Sequence, residues 1–152
     1  MTKQNNIPEI LISVSFDKTI KKSELIKITS ANDAYQVFKR VFNTDTFDWR
    51  EEFIMLCVNN SNKVVGFYKI SSGGMTGTVV DVRMIFTIAL QCLATGIIIA
   101  HNHPSGTLIP SESDKAITKK IKEAGNYLDI KVLDHLIITD ESFFSFANDG
   151  LL

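Results

Sequence analysis

The first third of the chain contains two segments in which apolar residues recur at regular spacing. Residues 10–16 alternate between apolar and polar side chains, which predicts a strand with one apolar face. Residues 30–43 carry apolar side chains at intervals of three and four, which predicts an amphipathic helix ending near Asn43. Ser30 and Asp33 have the spacing of a capping box, so the helix is predicted to begin there.

The next segments predict a hairpin followed by a loop. Residues 51–58 are almost wholly apolar after two acids, a polar turn follows, and residues 64–70 resume the apolar pattern. Residues 71–78 contain three glycines, which favours a loop with unusual backbone angles. A phosphate cradle is the alternative for this loop, but the G-x-x-x-x-G-K-[ST] pattern is absent.

The middle of the chain predicts two further helices around a buried strand. Apolar residues at helical spacing over 82–94 predict a helix that Gly96 ends, and residues 97–100 form the most apolar run, which predicts a buried strand. A second helix is expected to begin at Ser111, with Gly125 as its C-terminal cap. Its lysines at 119, 120 and 122 are interpreted as a solvated face rather than a docking patch.

The alternation of strands and helices predicts one α/β domain. Residues 129–139 complete the core, and residues 142–147 add a last short strand or turn. We therefore expect a mixed β-sheet with helices packed on it, formed by residues 7–152 after a flexible segment at residues 1–6.

Composition and charge narrow the possible partners. Sixteen basic and seventeen acidic residues leave a net charge of −1, which argues against direct, nonspecific binding of nucleic acid. The N-terminus lacks a signal-peptide core, and no apolar run approaches the ~20 residues that span a bilayer. We therefore expect a cytoplasmic protein without a membrane segment. Cys57 and Cys92 lie in apolar runs and are expected to be buried, reduced thiols rather than a disulfide or metal ligands.

The sequence His101-Asn102-His103-Pro104 carries the clearest candidate chemistry. Residues two apart in a strand point to the same side, so His101 and His103 can approach one ion, while Pro104 ends the strand at the rim of the sheet. Asp114, in the first turn of the next helix, can supply a third ligand. Two imidazoles and one carboxylate suit Zn²⁺, and three protein ligands leave a fourth position for water, as in catalytic zinc sites.

Catalysis would also need an acid/base group and an oxyanion donor. Glu51 and Glu52 are the candidates for the base, because both stand at the head of an otherwise apolar strand. Ser111 can donate to an oxyanion, but Ser111-x-x-Asp114 is also capping-box spacing. His135 lies among apolar residues and is interpreted as a packed, hydrogen-bonded core residue.

Together, Glu51 and the pattern H-x-H-P-x6-S-x2-D over residues 101–114 resemble the JAMM signature of the JAB/MPN metalloprotease superfamily. The segments HNHPSG, PSESD and VLDHLII are similar to those of the RadC branch of this superfamily, and the resemblance covers roughly residues 51–152. The chain resembles the short stand-alone form, since no helix-hairpin-helix motif is visible before Glu51.

The resemblance implies a cytidine-deaminase-like JAB/MPN fold and a zinc site. It implies that His101, His103 and Asp114 bind Zn²⁺, that Glu51 rather than Glu52 is the catalytic acid/base, and that Ser111 is a transition-state donor. The expected activity is zinc-dependent hydrolysis of an amide or isopeptide bond in a protein or peptide substrate. The alternative is a noncatalytic accessory or binding module linked to DNA repair or mobile-element maintenance. A nucleobase deaminase is a weaker interpretation, because it would need H-x-E and P-C-x-x-C ligands.

Overall fold

The computed structural model describes residues 7–73 and 79–152. Five strands form one mixed sheet in the order β2-β1-β3-β4-β5, which confirms the predicted α/β class. Central strand β3 pairs antiparallel with β1 and parallel with β4. In chain order the elements are a 3₁₀ turn Lys22–Glu24, α1 Ala31–Val41, β1 Glu52–Val58, β2 Val64–Ser72, α2 Val82–Gln91, β3 Gly96–Asn102, α3 Glu112–Tyr127, β4 Lys131–Ile138 and β5 Phe143–Ser145.

The sheet has helices on both faces. Alternate residues of β1 and β3 contribute to two separate hydrophobic clusters, one beneath α1 and the other beneath α2 and α3. Every residue of these two strands is buried. Burial on both faces explains why their sequences are continuous apolar runs rather than alternating patterns.

Local sequence signals set the starts of α1 and α3 as predicted. The Ser30 hydroxyl accepts a hydrogen bond from the Asp33 amide, and the Asp33 carboxylate accepts one from the Ser30 amide. Ser111 and Asp114 form the same reciprocal pair at the start of α3. These bonds satisfy helix amides that have no intrahelical partner, so each capping box defines a helix start. The predicted hairpin of β1 and β2 is confirmed as an antiparallel pair.

The strand predicted at residues 10–16 is wrong. This segment forms no strand, and the side chains of Ile10 and Ile12 are 84% and 68% exposed. The Phe16 ring lies over Gly66 of β2, where an added Cβ would be 3.5 Å from the ring. Alternation of apolar side chains shows only that a segment can form a strand, since pairing requires a neighbour that buries one face.

Two glycines were assigned the wrong role. Helix α2 ends at Gln91 and the chain turns at Leu93, whose φ is 53°, so Gly96 does not cap the helix but begins β3. Gly125 lies inside α3, where a Cβ would be 2.5 Å from the Ile130 carbonyl oxygen. Close approach of the backbone, not a left-handed φ, is the reason for glycine at this position.

Some expectations lie outside the described residues. These are the flexibility of residues 1–6 and the backbone of the glycine-rich loop over residues 74–78. Within the part of the chain that the structure describes, no helix is long and apolar enough to cross a membrane.

Candidate metal centre

Three potential ligand atoms converge where β3 ends and α3 begins. His101 is in β3, His103 follows the strand's last residue, and Asp114 is in the first turn of α3. The two histidine Nε2 atoms are 2.9 Å apart, and the Asp114 carboxylate oxygens are 3.3 Å from Nε2 of His101 and 3.6 Å from Nε2 of His103. The three residues offer ligand atoms within 4.8 Å of one another. The structure therefore brings together the three residues that the sequence predicted as ligands.

The hydrogen bond on the far side of His103 favours a metal ligand at its Nε2 atom. Nδ1 of His103 lies 2.9 Å from the Thr107 carbonyl oxygen. A carbonyl can only accept, so Nδ1 carries a proton, and in the neutral ring the lone pair lies on Nε2, the atom that can bind an ion. Two imidazole nitrogens and a carboxylate oxygen are a donor set that fits Zn²⁺ better than Ca²⁺ or Mg²⁺. The residues present thus fit the ion that their spacing predicted.

Electrostatics in the cluster favour a charged carboxylate beside the imidazoles. Burial opposes ionisation of Asp114, but its hydrogen bonds to His101 and His103 hold the pKa of this carboxyl well below its usual range. Burial also lowers the pKa of His103, yet the hydrogen bonds to Asp114 and Thr107 outweigh it and raise that pKa overall. The Asp114 carboxylate therefore keeps a negative charge that can balance a bound cation.

A cavity of about 280 Å³ opens beside the ligand cluster. Glu51, His101 and Asp114 line it together with side chains from the loop before α2 and from α3; the remaining lining residues are Phe53, Val79, Val80, Ser113 and Ile117. Glu51 is half-buried, and burial raises the pKa of its carboxyl, although the neighbouring His101 and His103 oppose that shift. A carboxyl with a raised pKa is better matched to proton transfer near neutral pH than an exposed one.

Glu52 points to the other side of the sheet. Its side chain is buried and forms a 2.8 Å ion pair with Lys69 of the neighbouring strand β2. Successive residues in a strand face opposite sides, so Glu51 and Glu52 cannot both reach the cavity. Of the two candidates for the base, only Glu51 shares the cavity with His101 and Asp114.

Ser111 lies beside the cluster as the N-cap of α3. Its hydroxyl oxygen accepts from the Asp114 amide, and its own amide donates to a carboxylate oxygen of Asp114 at 2.7 Å. The capping interpretation of this serine is therefore confirmed. Its role as a transition-state donor stays a prediction.

Asn102 was not predicted as a functional residue; it lies between the two histidines and faces the other side of β3. Its side-chain oxygen accepts from the Glu52 amide at 2.7 Å, and its Nδ2 donates to the carbonyls of Phe47 and Arg50 at 2.8 Å each. These three bonds fix the chain immediately around Glu51. The one signal in the sequence was a polar residue within a buried strand, since such a residue needs buried hydrogen-bond partners.

His135 is buried and hydrogen-bonded, as predicted, but one of its partners is a candidate ligand. It lies in β4, and its Nε2 is 2.8 Å from Nδ1 of His101. Its other ring nitrogen, Nδ1, is 2.6 Å from the Thr118 hydroxyl of α3. Sequence spacing could not reveal this contact, because it joins residues 34 positions apart.

The two cysteines are free thiols and do not line this cavity. Cys57 is buried, and burial with the neighbouring Cys92 raises the pKa of its thiol to about 12. Cys92 is only half-buried. The expected burial is thus confirmed for Cys57 but not for Cys92, and the reduced state of both thiols stays a prediction. An un-ionised Cys57 is a poor nucleophile.

Comparisons with known proteins agree with the geometry. A protein-family model described as the RadC-like JAB domain matches residues 28–151. A UPF0758 protein of Flavobacterium johnsoniae is 50% identical over 128 residues, which cover 84% of this chain and 55% of the relative. A UPF0758 protein of Porphyromonas gingivalis is 36% identical over 94% of this chain and 63% of its own length, and UPF0758 protein YfjY of Escherichia coli is 42% identical over 68% and 64%. The chain thus spans between about half and two thirds of the length of these relatives.

Proposed function

The chain belongs to the RadC-like JAB domain family, and from this premise we propose that it is a zinc-dependent hydrolase of an amide or isopeptide bond in a protein or peptide. The observation that carries the proposal is the convergence of three ligand atoms beside a cavity that Glu51 also lines. His101, His103 and Asp114 would hold the ion. When bound, Zn²⁺ acts as a Lewis acid towards a carbonyl and lowers the pKa of water from ~15.7 towards ~7.

Glu51 is the proposed general base and acid. Its carboxylate is half-buried in the same cavity as His101 and Asp114, and its raised pKa favours proton exchange near neutral pH. In hydrolysis it accepts a proton from the attacking water and delivers that proton to the departing amine nitrogen. The hydrogen bonds of Asn102 hold the backbone on both sides of Glu51, so the carboxylate is presented from a fixed strand end.

Ser111 is the proposed donor to the oxygen that becomes negative in the transition state. As the N-cap it uses an oxygen lone pair to accept from the Asp114 amide. The hydroxyl proton is not consumed by that bond, so the same side chain can cap the helix and donate to an oxyanion. This dual use removes the conflict between the two interpretations of Ser111.

The test compares Glu51→Gln with Glu52→Gln on the zinc-loaded protein. Both variants remove one carboxylate at adjacent positions, but Glu52 faces Lys69 on the other side of the sheet. Incubation with a proteome-derived library of peptides and lysine-linked isopeptides, read by mass spectrometry, reports cleavage as new termini. We expect cleavage by the wild type, a loss of about 10²–10⁴-fold in Glu51→Gln and retention in Glu52→Gln.

Equal cleavage by Glu51→Gln and the wild type would remove Glu51 from the mechanism. The noncatalytic module is the competing function. Two results together would favour this module: the zinc-loaded wild type cleaves nothing, and a cellular phenotype that surface substitutions abolish is unchanged in Glu51→Gln.

A further inference from the structure

The proposed reaction leaves one buried group in contact with the ligand cluster unused. His135 is fully buried on β4 between the ring of Phe146, stacked at 4.7 Å, and the ring of Phe53. Its two ring nitrogens contact His101 and Thr118 at hydrogen-bond distance. Thr118 in turn contacts the backbone carbonyl of Asp114. A hydrogen-bonded chain therefore runs from one candidate ligand to another through two residues that do not bind the metal.

The Asp114 carbonyl at one end fixes which group donates in each of these hydrogen bonds. The Thr118 hydroxyl oxygen lies 2.6 Å from the Asp114 carbonyl oxygen, and a carbonyl has no proton to give. The single hydroxyl proton must therefore lie in that contact. The same oxygen lies 2.6 Å from Nδ1 of His135, so there it can only accept, and Nδ1 of His135 carries a proton.

His135 then has an acceptor to offer to His101. Within the described residues, its ring contacts aromatic rings, a hydroxyl and an imidazole, and the carboxylate of Asp134 accepts from its backbone amide instead. A second ring proton is therefore unfavourable. With Nδ1 protonated, Nε2 of His135 accepts from Nδ1–H of His101 at 2.8 Å. The lone pair of His101 is thereby left on Nε2, which faces His103 and Asp114.

We propose that Thr118 and His135 are positioning residues that lock His101 in the Nδ1-protonated tautomer and so direct its Nε2 lone pair to the metal. We call the chain Asp114 carbonyl, Thr118, His135 and His101 the ligand relay. It rests on the proposed metal site, and it gives His101 the same tautomer that the Thr107 carbonyl gives His103. Without Thr118 as acceptor, His135 is free to move its proton to Nε2. It would then donate to Nδ1 of His101 and leave the His101 proton on the ligand atom.

The structure offers a matched pair of variants at Thr118. Thr118→Val keeps the branched shape but removes the hydroxyl, whereas Thr118→Ser keeps the hydroxyl. Long-range ¹H–¹⁵N spectra of the metal-free protein distinguish protonated from unprotonated ring nitrogens. We expect His101 to be protonated at Nδ1 in the wild type and in Thr118→Ser, and to gain a population protonated at Nε2 in Thr118→Val. A wild-type His101 that carries its proton at Nε2 and none at Nδ1, or identical spectra for all three proteins, would overturn the relay.

Zinc affinity, measured by competition with a chelator, is the second readout. Loss of a group that orients a metal-bound histidine costs about 10–100-fold in affinity, so Thr118→Val should bind Zn²⁺ that much more weakly while Thr118→Ser stays close to the wild type. Equal affinities would show that Thr118 and His135 only pack the core. The tautomer measurement needs no metal. A wild type that shows the expected tautomers and binds no zinc would contradict the proposed function and leave the relay standing.

Discussion

Asp114 joins two tasks in one side chain. Its carboxylate accepts from the Ser111 amide at the start of α3 and faces both histidines. The bond that begins the helix therefore also orients the candidate ligand. This coupling explains how a residue in a helix can join two candidate ligands that come from a strand end, since the capping box fixes where the first turn lies.

Ser111 variants separate capping from catalysis. Ser111→Ala removes the cap and should lower the free energy of unfolding by about 1 kcal/mol, whereas Ser111→Asn retains a good N-cap and should be nearly neutral. Urea unfolding of the metal-free proteins measures both changes. If the hydroxyl also serves as the oxyanion donor, the Asn variant remains stable but hydrolyses more slowly. An Ala variant as stable as the wild type would contradict the capping role.

Asp134 should make the free energy of unfolding depend on pH. Burial raises the pKa of this carboxyl, even though it accepts hydrogen bonds from Ser145, His135 and Ala147. Because the folded pKa lies above the unfolded one, its contribution to stability is full below the unfolded pKa and is lost as pH rises through the folded pKa. Asp134→Asn stays neutral, so its stability relative to the wild type, measured by urea unfolding, should increase as the pH rises above the unfolded pKa of about 3.9.

Asp33 provides a control of opposite sign. Hydrogen bonds from Thr29 lower the pKa of the Asp33 carboxyl, so its contribution is present above the unfolded pKa and lost as pH falls through the folded one. Asp33→Asn should therefore become less stable relative to the wild type as pH rises. If the relative stabilities of Asp134→Asn and Asp33→Asn changed in the same direction with pH, the opposite pKa shifts of the two carboxyls would be contradicted.

Local spacing was enough to predict which three residues cluster at the candidate metal centre but not which residues contact them from elsewhere in the sheet. His101, His103 and Asp114 lie within one short segment, so strand and helix periodicity places them together. The partner of His101 is 34 residues away, and the Asn102 side chain reaches an amide 50 residues away. Such contacts depend on which strands become neighbours, and that is decided by packing of the whole sheet.

At the scale of elements, the segments that the sequence predicted well are those with both a periodic apolar face and a local stop or start signal. Helix α1 has both, with its capping box and its amphipathic pattern. Residues 10–16 have only the alternation, and in the structure they find no strand partner. Gly96 and Gly125 were misassigned because a glycine selected for close backbone approach looks the same in sequence as a helix cap.

Gly125→Ala should destabilise the protein even though alanine favours helices by about 1 kcal/mol over glycine. The new methyl group would lie 2.5 Å from the Ile130 carbonyl oxygen and 3.1 Å from Val132, so α3 must move away from β4. We expect a loss of about 1–3 kcal/mol in the free energy of unfolding, as in other overpacked cores. Asn126→Ala, at the exposed neighbouring position, should be neutral or slightly stabilising. Equal free energies of unfolding for the two variants would contradict the close approach of α3 to the Ile130 carbonyl.

At the scale of the whole molecule, the site lies at the end of the central strand of the sheet. β3 is buried on both faces and pairs with β1 and β4, which supply Phe53 against the His101 ring and His135 against its Nδ1 atom. Helix α3 closes the cluster from one face through Asp114 and Thr118. The ligand positions thus depend on the core that two hydrophobic clusters build, and a rigid scaffold of this kind is what a preorganised metal site requires.

Titration of Zn²⁺ into the chelator-treated protein, followed by calorimetry, tests the central claim most directly. The wild type should bind one ion per chain, and binding should be lost in His103→Ala and Asp114→Ala. Glu112→Ala is the matched control, because Glu112 stands in the same helical turn as Asp114 but pairs with Lys115 at the surface. This variant should bind zinc like the wild type. A wild type that binds no zinc, or an Asp114→Ala variant that binds it equally well, would contradict the account.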